Sequence, residues 1–297
     1  MQDIRQNCGR LFVFFILLPL LYSCSHVPGT AHAAGSKKFS YFESLEKRLI
    51  NDGFDKNGIR KLYRSPRTMF ESKGVSLYFV HNEGKLNYDQ FLENAPIRKA
   101  RNYMEEQKNE LTAAENAYGV DRQVITAILL VETRLGSYVG ERFVFNSLST
   151  MAALADTEVR KRLWKRVSGT THLSKQAFEK KAARKSNWAY KELKAFLTYT
   201  DREKLDPLEI YGSYAGAMGL CQFMPSNILK LAKDGNKDGR INLFNHADAI
   251  MSVASYLNHN GWYPGIDRQR AYDVVYTYNH SSYYVNTILK IVEILKG

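Results

Sequence analysis

Glu132 lies within the apolar stripe of a helix whose two ends are marked clearly in the sequence. At about 100° per residue, the apolar side chains of residues 121–135 fall on one arc, with Glu132 near its middle. These side chains are Val124, Ile125, Ile128, Leu129 and Leu135. Asp121 is a suitable N-cap and Gly136 a suitable stop. The pattern predicts a helix that carries an acid on its apolar face.

An acid in this position has two interpretations. Burial among aliphatic side chains disfavours the charged form of a carboxyl group, which is the state a general acid near neutral pH requires. The alternative is a structural Glu132 that reaches the rim of the core or pairs with Arg134 or Arg142. The helix by itself leaves both interpretations open.

The rest of the body follows the helical period almost throughout, so the expected fold class is mainly α. The spacing predicts helices over 42–50, after Asn57, over 156–167 and over 174–199, and a long helix over 89–118 interrupted by Pro96. Leu77–Val80 is the one strand-like run, and a turn follows it at 82–84.

The composition suits a globular chain with an acidic partner. The 297 residues are 44% hydrophobic and 24% charged, which allows one large or two small domains. The formal charge of +12 favours nucleic acid, an anionic membrane or a carboxylate-bearing polymer. The basic runs at 160–162 and 180–185 have no accompanying nucleic-acid motif or phosphate-binding loop, so we expect no nucleic-acid partner.

The N-terminus predicts export. Arg5 and Arg10 precede an apolar run over 11–22, which is too short for a membrane span and typical of a secretory signal over 1–23. Residues 21–24 resemble a lipobox in which Cys24 would be lipidated, followed by a linker over 24–40. Cleavage near Ala33, which would give a soluble periplasmic or secreted form, is the alternative. Only Cys221 then remains in the body, so no internal disulfide is expected.

A glycine-rich segment over 211–226 has the composition of a sugar-binding wall. Its glycines permit tight turns and close approach to a ligand. Ser213 and Gln222 stand between small residues and aromatic ones such as Phe223, and such walls stack on sugar rings while polar groups orient them. A tightly packed helix pair is the alternative.

Residues 234–241 resemble the opening of an EF-hand calcium loop. The oxygen ligands would be Asp234, Asn236, Asp238 and the carbonyl of Arg240. The twelfth position is Asn instead of Glu, so a longer loop closed by Asp248 is an option. The alternative is a simple turn rich in Asp, Asn and Gly.

These segments together are similar to the membrane-bound lytic murein transglycosylase B family. The resemblance rests on Glu132 within 131–134, the motifs at 212–219 and 222–226, the loop running into 241–243, and Tyr278-Asn279. It covers roughly residue 113 to the C-terminus, with a weaker likeness over 42–70. It implies a lysozyme-like transglycosylase domain over 113–297, with a helical region over 41–112 packed on it.

The resemblance also implies an activity. Glu132 would take the position of the single catalytic acid/base, protonate the bond between N-acetylmuramic acid and N-acetylglucosamine, and close a 1,6-anhydro ring without water. The partner would be peptidoglycan in the periplasm, with Ca²⁺ in the loop and cell-wall enzyme complexes as further partners. Separately from the resemblance, Ser25 after Cys24 is compatible with an anchor in the outer membrane. Positions that match the substrate cleft are Ser213, Gln222, Tyr256, Tyr278, Asn279 and Tyr284, and those that match the calcium loop are Asp234, Asn236, Asp238, Arg240 and Asp248.

The chain departs from the family pattern in three places. Cys221 replaces a usual Gly, and we expect it to narrow the cleft or add a reactive thiol. The stretch between 262 and 278 is short, and the segment 167–185 is long and basic. A lysozyme-type hydrolase remains an alternative if Glu141 or Asp156 supplies a second carboxylate. A non-catalytic wall-binding scaffold is a further alternative, against which Glu132 argues.

Overall fold

The computed structural model describes residues 40–80 and 87–297. The expected signal peptide over 1–23, the lipidation site Cys24 and the alternative cleavage near Ala33 lie outside this part of the chain. Residues 40–297 group into one compact unit with a continuous hydrophobic core.

Thirteen α-helices dominate the described residues, which confirms the mainly α fold class. They are α1 Glu43–Asn51, α2 Lys56–Arg64, α3 Ser72–Val80, α4 Asn94–Glu106, α5 Lys108–Tyr118, α6 Arg122–Thr133, α7 Val144–Ala153, α8 Thr157–Val167, α9 Lys175–Arg202, α10 Pro225–Leu231, α11 His246–His259, α12 Arg268–Tyr278 and α13 Ser282–Lys296. A short 3₁₀-helix spans Asp89–Leu92. The strands β1 Arg142–Phe143 and β2 Tyr211–Gly212 pair antiparallel, with Arg142 opposite Gly212.

Two helices form the centre of the unit. All ten residues of α7 are buried, and α7 packs along the long helix α9. In α6 the run from Val124 to Leu130 is buried, and this helix packs against α13 and α4. Each fully buried aliphatic side chain contributes about 1.5–3 kcal/mol. The apolar positions that predicted α6 therefore hold the acid-bearing helix firmly in the core.

The strand expected over Leu77–Val80 is wrong, because this run forms the end of α3. Val75 and Phe79 are one helical turn apart and both are buried, so a single helix face enters the core. Phe79 lies 4.9 Å from Phe178 of α9 between ring centroids. Packing of this kind overrides the strand preference of aromatic and β-branched residues.

The segment 89–118 was expected to be one long helix interrupted by Pro96. It forms a 3₁₀-helix followed by the two helices α4 and α5. Pro96 is tolerated within the first turn of α4, where a missing N–H costs little. The break falls instead at Gln107, whose φ of −104° and ψ of 28° separate α4 from α5. By contrast, Asp156 and Ser174 cap α8 and α9 with their side chains, and Pro225 opens α10 as expected.

The first helices pack on the buried helix α7. The hydroxyl groups of Tyr63 and Ser149 lie 3.0 Å apart. The Asn146 side chain accepts from the N–H of Met69 and donates to the carbonyl of Arg67. These contacts hold the region before α4 against the centre of the unit. The expected boundary at residue 113, between the N-terminal helical region and the transglycosylase domain, stays a prediction.

None of the helices in the described ranges is long and apolar enough to cross a membrane.

A partly buried hydrogen bond between α4 and α11 makes the stability depend on pH. The Tyr103 hydroxyl lies 2.9 Å from Nδ1 of His246, and burial lowers the pKa of His246 from 6.5. A lowered folded pKa means that the stabilising contribution is complete above the unfolded value and is lost as the pH falls below about 6.5. Thermal unfolding should show this loss, and His246→Gln should flatten it. Exposed His172→Gln is the matched control, and an equal change in both variants would contradict the assignment.

Candidate active site

The end of α6 is fixed by an unusual backbone path. Arg134 and Leu135 both have positive φ, 52° and 61°, and Gly136 follows at 88°. For residues other than glycine this conformation costs about 1–2 kcal/mol each, so it persists where surrounding contacts impose it. The Thr133 hydroxyl supplies such a contact, because it donates to the Leu220 carbonyl at 2.8 Å and accepts the N–H of Gly136.

Glu132 stands directly before this anchored turn and is half-buried. The hydroxyl of Tyr284, on α13, donates to its Oε1 at 2.7 Å. Tyr284 is 1% exposed, and burial, together with the charge of Glu132, raises its pKa well above 10. The phenol therefore stays protonated at neutral pH and acts only as a donor toward the carboxylate.

Arg134 and Arg142, the alternative structural partners of Glu132, contact other residues. Arg142 pairs with Glu71 at 2.9 Å, and Arg134 donates to Gln90 at 2.9 Å. Tyr284 is a hydrogen-bond partner that orients the carboxylate. This favours the acid interpretation of Glu132 over an ion pair with either arginine.

A cleft of about 240 Å³ opens beside the acid. Its lining brings together Glu132 and two predicted residues of the glycine-rich segment, Ser213 and Gln222, with Leu77, Tyr138, Gly140, Glu141, Arg142, Gly212 and Tyr214. Ser213 accepts the N–H groups of Ala215 and Ala217 at 3.3 and 3.1 Å. The Gln222 amide donates to the carbonyls of Val139 and Gly219. Both polar side chains are therefore held in place at the wall.

Glycine is required where the two strands meet at the cleft. A Cβ on Gly140, whose φ is +101°, would lie 2.2 Å from the Gly212 carbonyl oxygen. A Cβ on Gly212 would lie equally close to the carbonyl oxygen of Ala217. This close approach brings the segment after α6 against the glycine-rich segment and so closes the cleft.

The other predicted aromatic residues form a cluster behind the wall. Phe223 and Tyr256 are 2% and 8% exposed, and their ring centroids lie 5.6 Å apart. Tyr278 packs on both and donates to the Cys221 carbonyl at 2.5 Å. Tyr256 donates to the carbonyl of Thr277. This cluster supports the wall, and direct contact of its members with substrate stays a prediction, as it does for Asn279 at the end of α12.

Cys221 is not among the residues that line the cleft. Its side chain is fully buried, and burial raises the pKa of the thiol well above its usual range. Since the thiolate is the reactive form, the expectation of a reactive thiol in the cleft is wrong.

Leu77, Tyr138 and Arg142 were missed as cleft residues. Leu77 is 39% and Tyr138 57% exposed. For Tyr138 the sequence did hold a signal, because this aromatic residue lies between Gly136 and Gly140 directly after the helix of Glu132. Leu77 belongs to the run that was predicted to be a strand. That prediction gave no reason to place its side chain opposite an acid on another helix.

The calcium-like loop is folded around its acidic residues. Asp234 accepts the N–H groups of Asp238 and Gly239 at 3.1 and 2.8 Å, one on each oxygen. Asp248 is 1% exposed and accepts the N–H groups of Gly235 and Asn242. Within the ranges 40–80 and 87–297, no three acidic, histidine or cysteine side chains form a cluster that could hold a metal ion. An ion here would need amide and carbonyl oxygens as well.

The sequence of this chain matches the family described as "Transglycosylase SLT domain" over residues 38–271. The chain belongs to the transglycosylase SLT domain family. It is also 34% identical over 158 residues to "Membrane-bound lytic murein transglycosylase B" of Escherichia coli (strain K12). That match covers 53% of this chain and 36% of the relative, so it spans about a third of the relative's length.

Solved structures share the fold. Soluble lytic transglycosylase SltB1 from Pseudomonas aeruginosa superposes with a TM-score of 0.69 at 23% identity, over 85% of this chain and 97% of that chain. The Escherichia coli lytic transglycosylase Slt35 in complex with calcium gives 0.66 at 22% identity, over 86% and 92%. SltB3 from Pseudomonas aeruginosa, in complex with NAG-anhNAM-pentapeptide, gives 0.68 at 17% identity, over 86% and 79%. The expected lysozyme-like fold class is confirmed.

The contact between Tyr284 and Glu132 yields a direct test. Tyr284→Phe removes the donor and leaves the ring in place, and a hydrogen bond to a charged group contributes about 1.5–3 kcal/mol. We expect kcat to fall about tenfold to a hundredfold relative to the wild-type enzyme, with the helical circular dichroism unchanged. Tyr283→Phe, which changes a neighbour that is 63% exposed, is the control. Wild-type kcat in Tyr284→Phe would remove Tyr284 from the site.

Proposed function

We propose that this protein is a peptidoglycan lytic transglycosylase that cleaves the bond between N-acetylmuramic acid and N-acetylglucosamine. The observation that carries the proposal is the half-buried Glu132 carboxylate, oriented by Tyr284 in a cleft whose other wall is the glycine-rich segment. Membership of the transglycosylase SLT domain family supports it. So does the complex of SltB3 with a glycan-peptide fragment.

The chemistry needs one carboxyl group in two protonation states. Protonated Glu132 gives its proton to the glycosidic oxygen as the bond from that oxygen to C1 of the muramoyl sugar breaks. The resulting carboxylate then takes the proton of the C6 hydroxyl, and the C6 oxygen bonds to C1 to form the 1,6-anhydro ring. The Tyr284 hydroxyl remains a donor throughout and stabilises the carboxylate between the two transfers.

A lysozyme-type hydrolase is the second candidate, because Glu141 lines the same cleft as Glu132. Glycosidases that use water or a covalent intermediate need two carboxyl groups that face the scissile bond. Asp156, the other acid considered, accepts the N–H groups of Glu158 and Val159 as the cap of α8. Glu141 is therefore the acid on which the hydrolase interpretation depends.

Product analysis separates the two reactions. We expect mass spectrometry of digested peptidoglycan to find 1,6-anhydromuramoyl ends, and Glu132→Gln to abolish their release with the fold intact. Glu141→Gln is the matched variant and should retain anhydro products within about tenfold of the wild-type rate. Reducing ends that disappear in Glu141→Gln would establish the hydrolase instead. Absence of any release by the wild-type protein would favour a wall-binding scaffold.

We also propose that the loop binds Ca²⁺ through side-chain oxygens of Asp234, Asn236 and Asp238 and the carbonyl of Arg240, with Asp248 as the late acid that closes the loop. Each Asp234 oxygen accepts one backbone N–H and keeps a second lone pair for a cation. Oxygen donors of this kind suit calcium. Burial raises the pKa of Asp248, and a nearby cation would favour its ionised form.

Calcium should raise the thermal midpoint of the protein, since a ligand at a hundred times its Kd stabilises the folded state by about 2.7 kcal/mol. Asp238→Ala should lose this response in differential scanning fluorimetry with calcium or chelator. Lys237→Ala in the same loop is the control. A wild-type protein whose midpoint ignores calcium would exclude the site.

We further propose that the protein works in the periplasm, anchored to the outer membrane through lipidated Cys24. The name of the Escherichia coli relative, which describes it as membrane-bound, supports this location. The apolar run over 11–22, which ends just before Cys24, supports it as well. Participation in cell-wall enzyme complexes stays a prediction.

A further inference from the structure

The cleft beside Glu132 holds only a short piece of a long substrate. Its volume is about 240 Å³, which is below the roughly 300–1,000 Å³ of pockets that enclose a drug-sized ligand. The proposed substrate is a polymer, so most of each glycan strand lies outside this cleft. A second surface that binds sugar rings would keep the strand near the acid.

Helix α12 carries a row of aromatic side chains away from its core-facing side. The buried side chains of this helix are Ala271, Val274 and Val275. Tyr272 and Tyr276 lie one turn apart on another side of the helix, and His280 follows at the same four-residue spacing just past its end. We refer to Tyr272, Tyr276 and His280 as the aromatic strip.

The rings of the aromatic strip form one contiguous surface. The centroids of Tyr272 and Tyr276 lie 6.2 Å apart, with their planes inclined by only 11°. The centroids of Tyr276 and His280 lie 5.1 Å apart. Tyr272 is partly buried and packs against the core, whereas Tyr276 is 39% exposed and His280 is exposed. The strip is therefore anchored at one end and open to a ligand at the other.

The polar atoms of the aromatic strip are available to a ligand. The phenol hydroxyls of Tyr272 and Tyr276 and the imidazole of His280 make no hydrogen bond with any residue in the ranges 40–80 and 87–297. Both kinds of group donate and accept hydrogen bonds. A sugar offers an apolar ring face for stacking and hydroxyl groups for such partners. The strip thus has the chemistry of a sugar-binding surface.

The charges beside the aromatic strip disfavour an anionic ligand. Arg268, one turn before Tyr272, pairs with Glu293 of α13. Gln269 donates to Asp273, which leaves an exposed carboxylate next to the strip. This side of α12, which the structure describes in full, offers no unpaired arginine or lysine to a phosphate or a nucleic acid. An uncharged ligand such as an N-acetyl sugar meets no such penalty.

The aromatic strip ends at the turn that positions the partner of the acid. His280 lies in the connection between α12 and α13. In the same connection, Ser281 caps α13 by accepting the N–H of Tyr284 at 3.5 Å. The hydroxyl of Tyr284 donates to Glu132. The strip is thus continuous along the backbone with the residue that orients the acid, so a strand bound there is tethered close to the cleft.

We propose that the aromatic strip is a second binding site for the glycan strands of peptidoglycan, in which sugar rings stack on Tyr276 and His280 outside the cleft. The choice of ligand rests on the proposed function, because peptidoglycan is the polymer on which the cleft would act. Two attachments to one polymer make the second binding event intramolecular. The strip should therefore matter for the insoluble wall and not for short fragments.

Cosedimentation with insoluble peptidoglycan tests the proposal. The full-length protein carries Glu132→Gln in every sample, so that the wall is not digested during the measurement. Tyr276→Ala with His280→Ala should weaken binding about tenfold or more, since each stacked aromatic ring contributes a few-fold to about tenfold. His259→Ala with Tyr263→Ala removes the same two kinds of side chain from exposed positions outside the strip and is the matched control.

The outcomes separate the possible ligands. Equal weakening in both double variants, or none in either, would overturn the strip as a binding site. The difference between them should persist on glycan whose peptides an amidase has removed. Its disappearance on that material would assign the strip to wall peptides and overturn the glycan. Tyr276→Phe keeps the ring and should keep most of the binding, so a loss as large as in the double alanine variant would contradict stacking.

A separate measurement distinguishes this proposal from the catalytic one. Turnover of short soluble glycan fragments, measured with Glu132 intact, should be unchanged in both double variants, and a fall confined to the strip variant would overturn a role outside the cleft. Strip-dependent binding without any anhydro product from the wild-type protein would support the strip and remove the catalytic proposal. Normal anhydro products without strip-dependent binding would do the reverse. Circular dichroism verifies that each variant folds.

Discussion

The hydroxyl group of Thr133 joins three parts of the molecule that are distant in sequence. It donates to the carbonyl of Leu220, and the N–H of Leu220 donates to the carbonyl of Leu243 at 2.8 Å. The end of the acid-bearing helix, the glycine-rich wall and the loop that precedes α11 are thereby linked through one residue. All three groups are buried, so loss of one partner would leave unsatisfied polar atoms in the core at a cost of about 1–3 kcal/mol. The acid and the wall opposite it therefore hold their separation as a unit.

Much of the fold was predictable, because the helices are bounded by local chemistry. The caps at Asp156 and Ser174 and the proline that opens α10 depend on neighbours within one turn. Sequence patterns report such neighbours directly. The run at Leu77–Val80 was mistaken for a strand because its conformation is decided by contacts with α7, α8 and α9, which are remote in sequence. Local preference is weak when tertiary packing opposes it.

The site was predictable in its chemistry and less so in its geometry. The position of Glu132 on an apolar stripe predicted a general acid. Ser213 and Gln222 line the same cleft as Glu132, as expected for the wall. The sequence gives no means to tell how deeply an aromatic residue of this segment is buried, and Phe223 is only 2% exposed. It also gives no hint that Asp248 would turn both its oxygens toward backbone N–H groups. Such distinctions depend on side-chain direction, which is set only after the helices have packed.

The tyrosine that orients Glu132 lies 152 residues further along the chain, on helix α13. Helices α6 and α13 pack against each other, so the carboxyl group and the donor that aligns it come together only where these two helices meet. A substitution that loosens the packing of α13 would therefore displace the donor of Glu132 even though it changes no residue of the cleft lining.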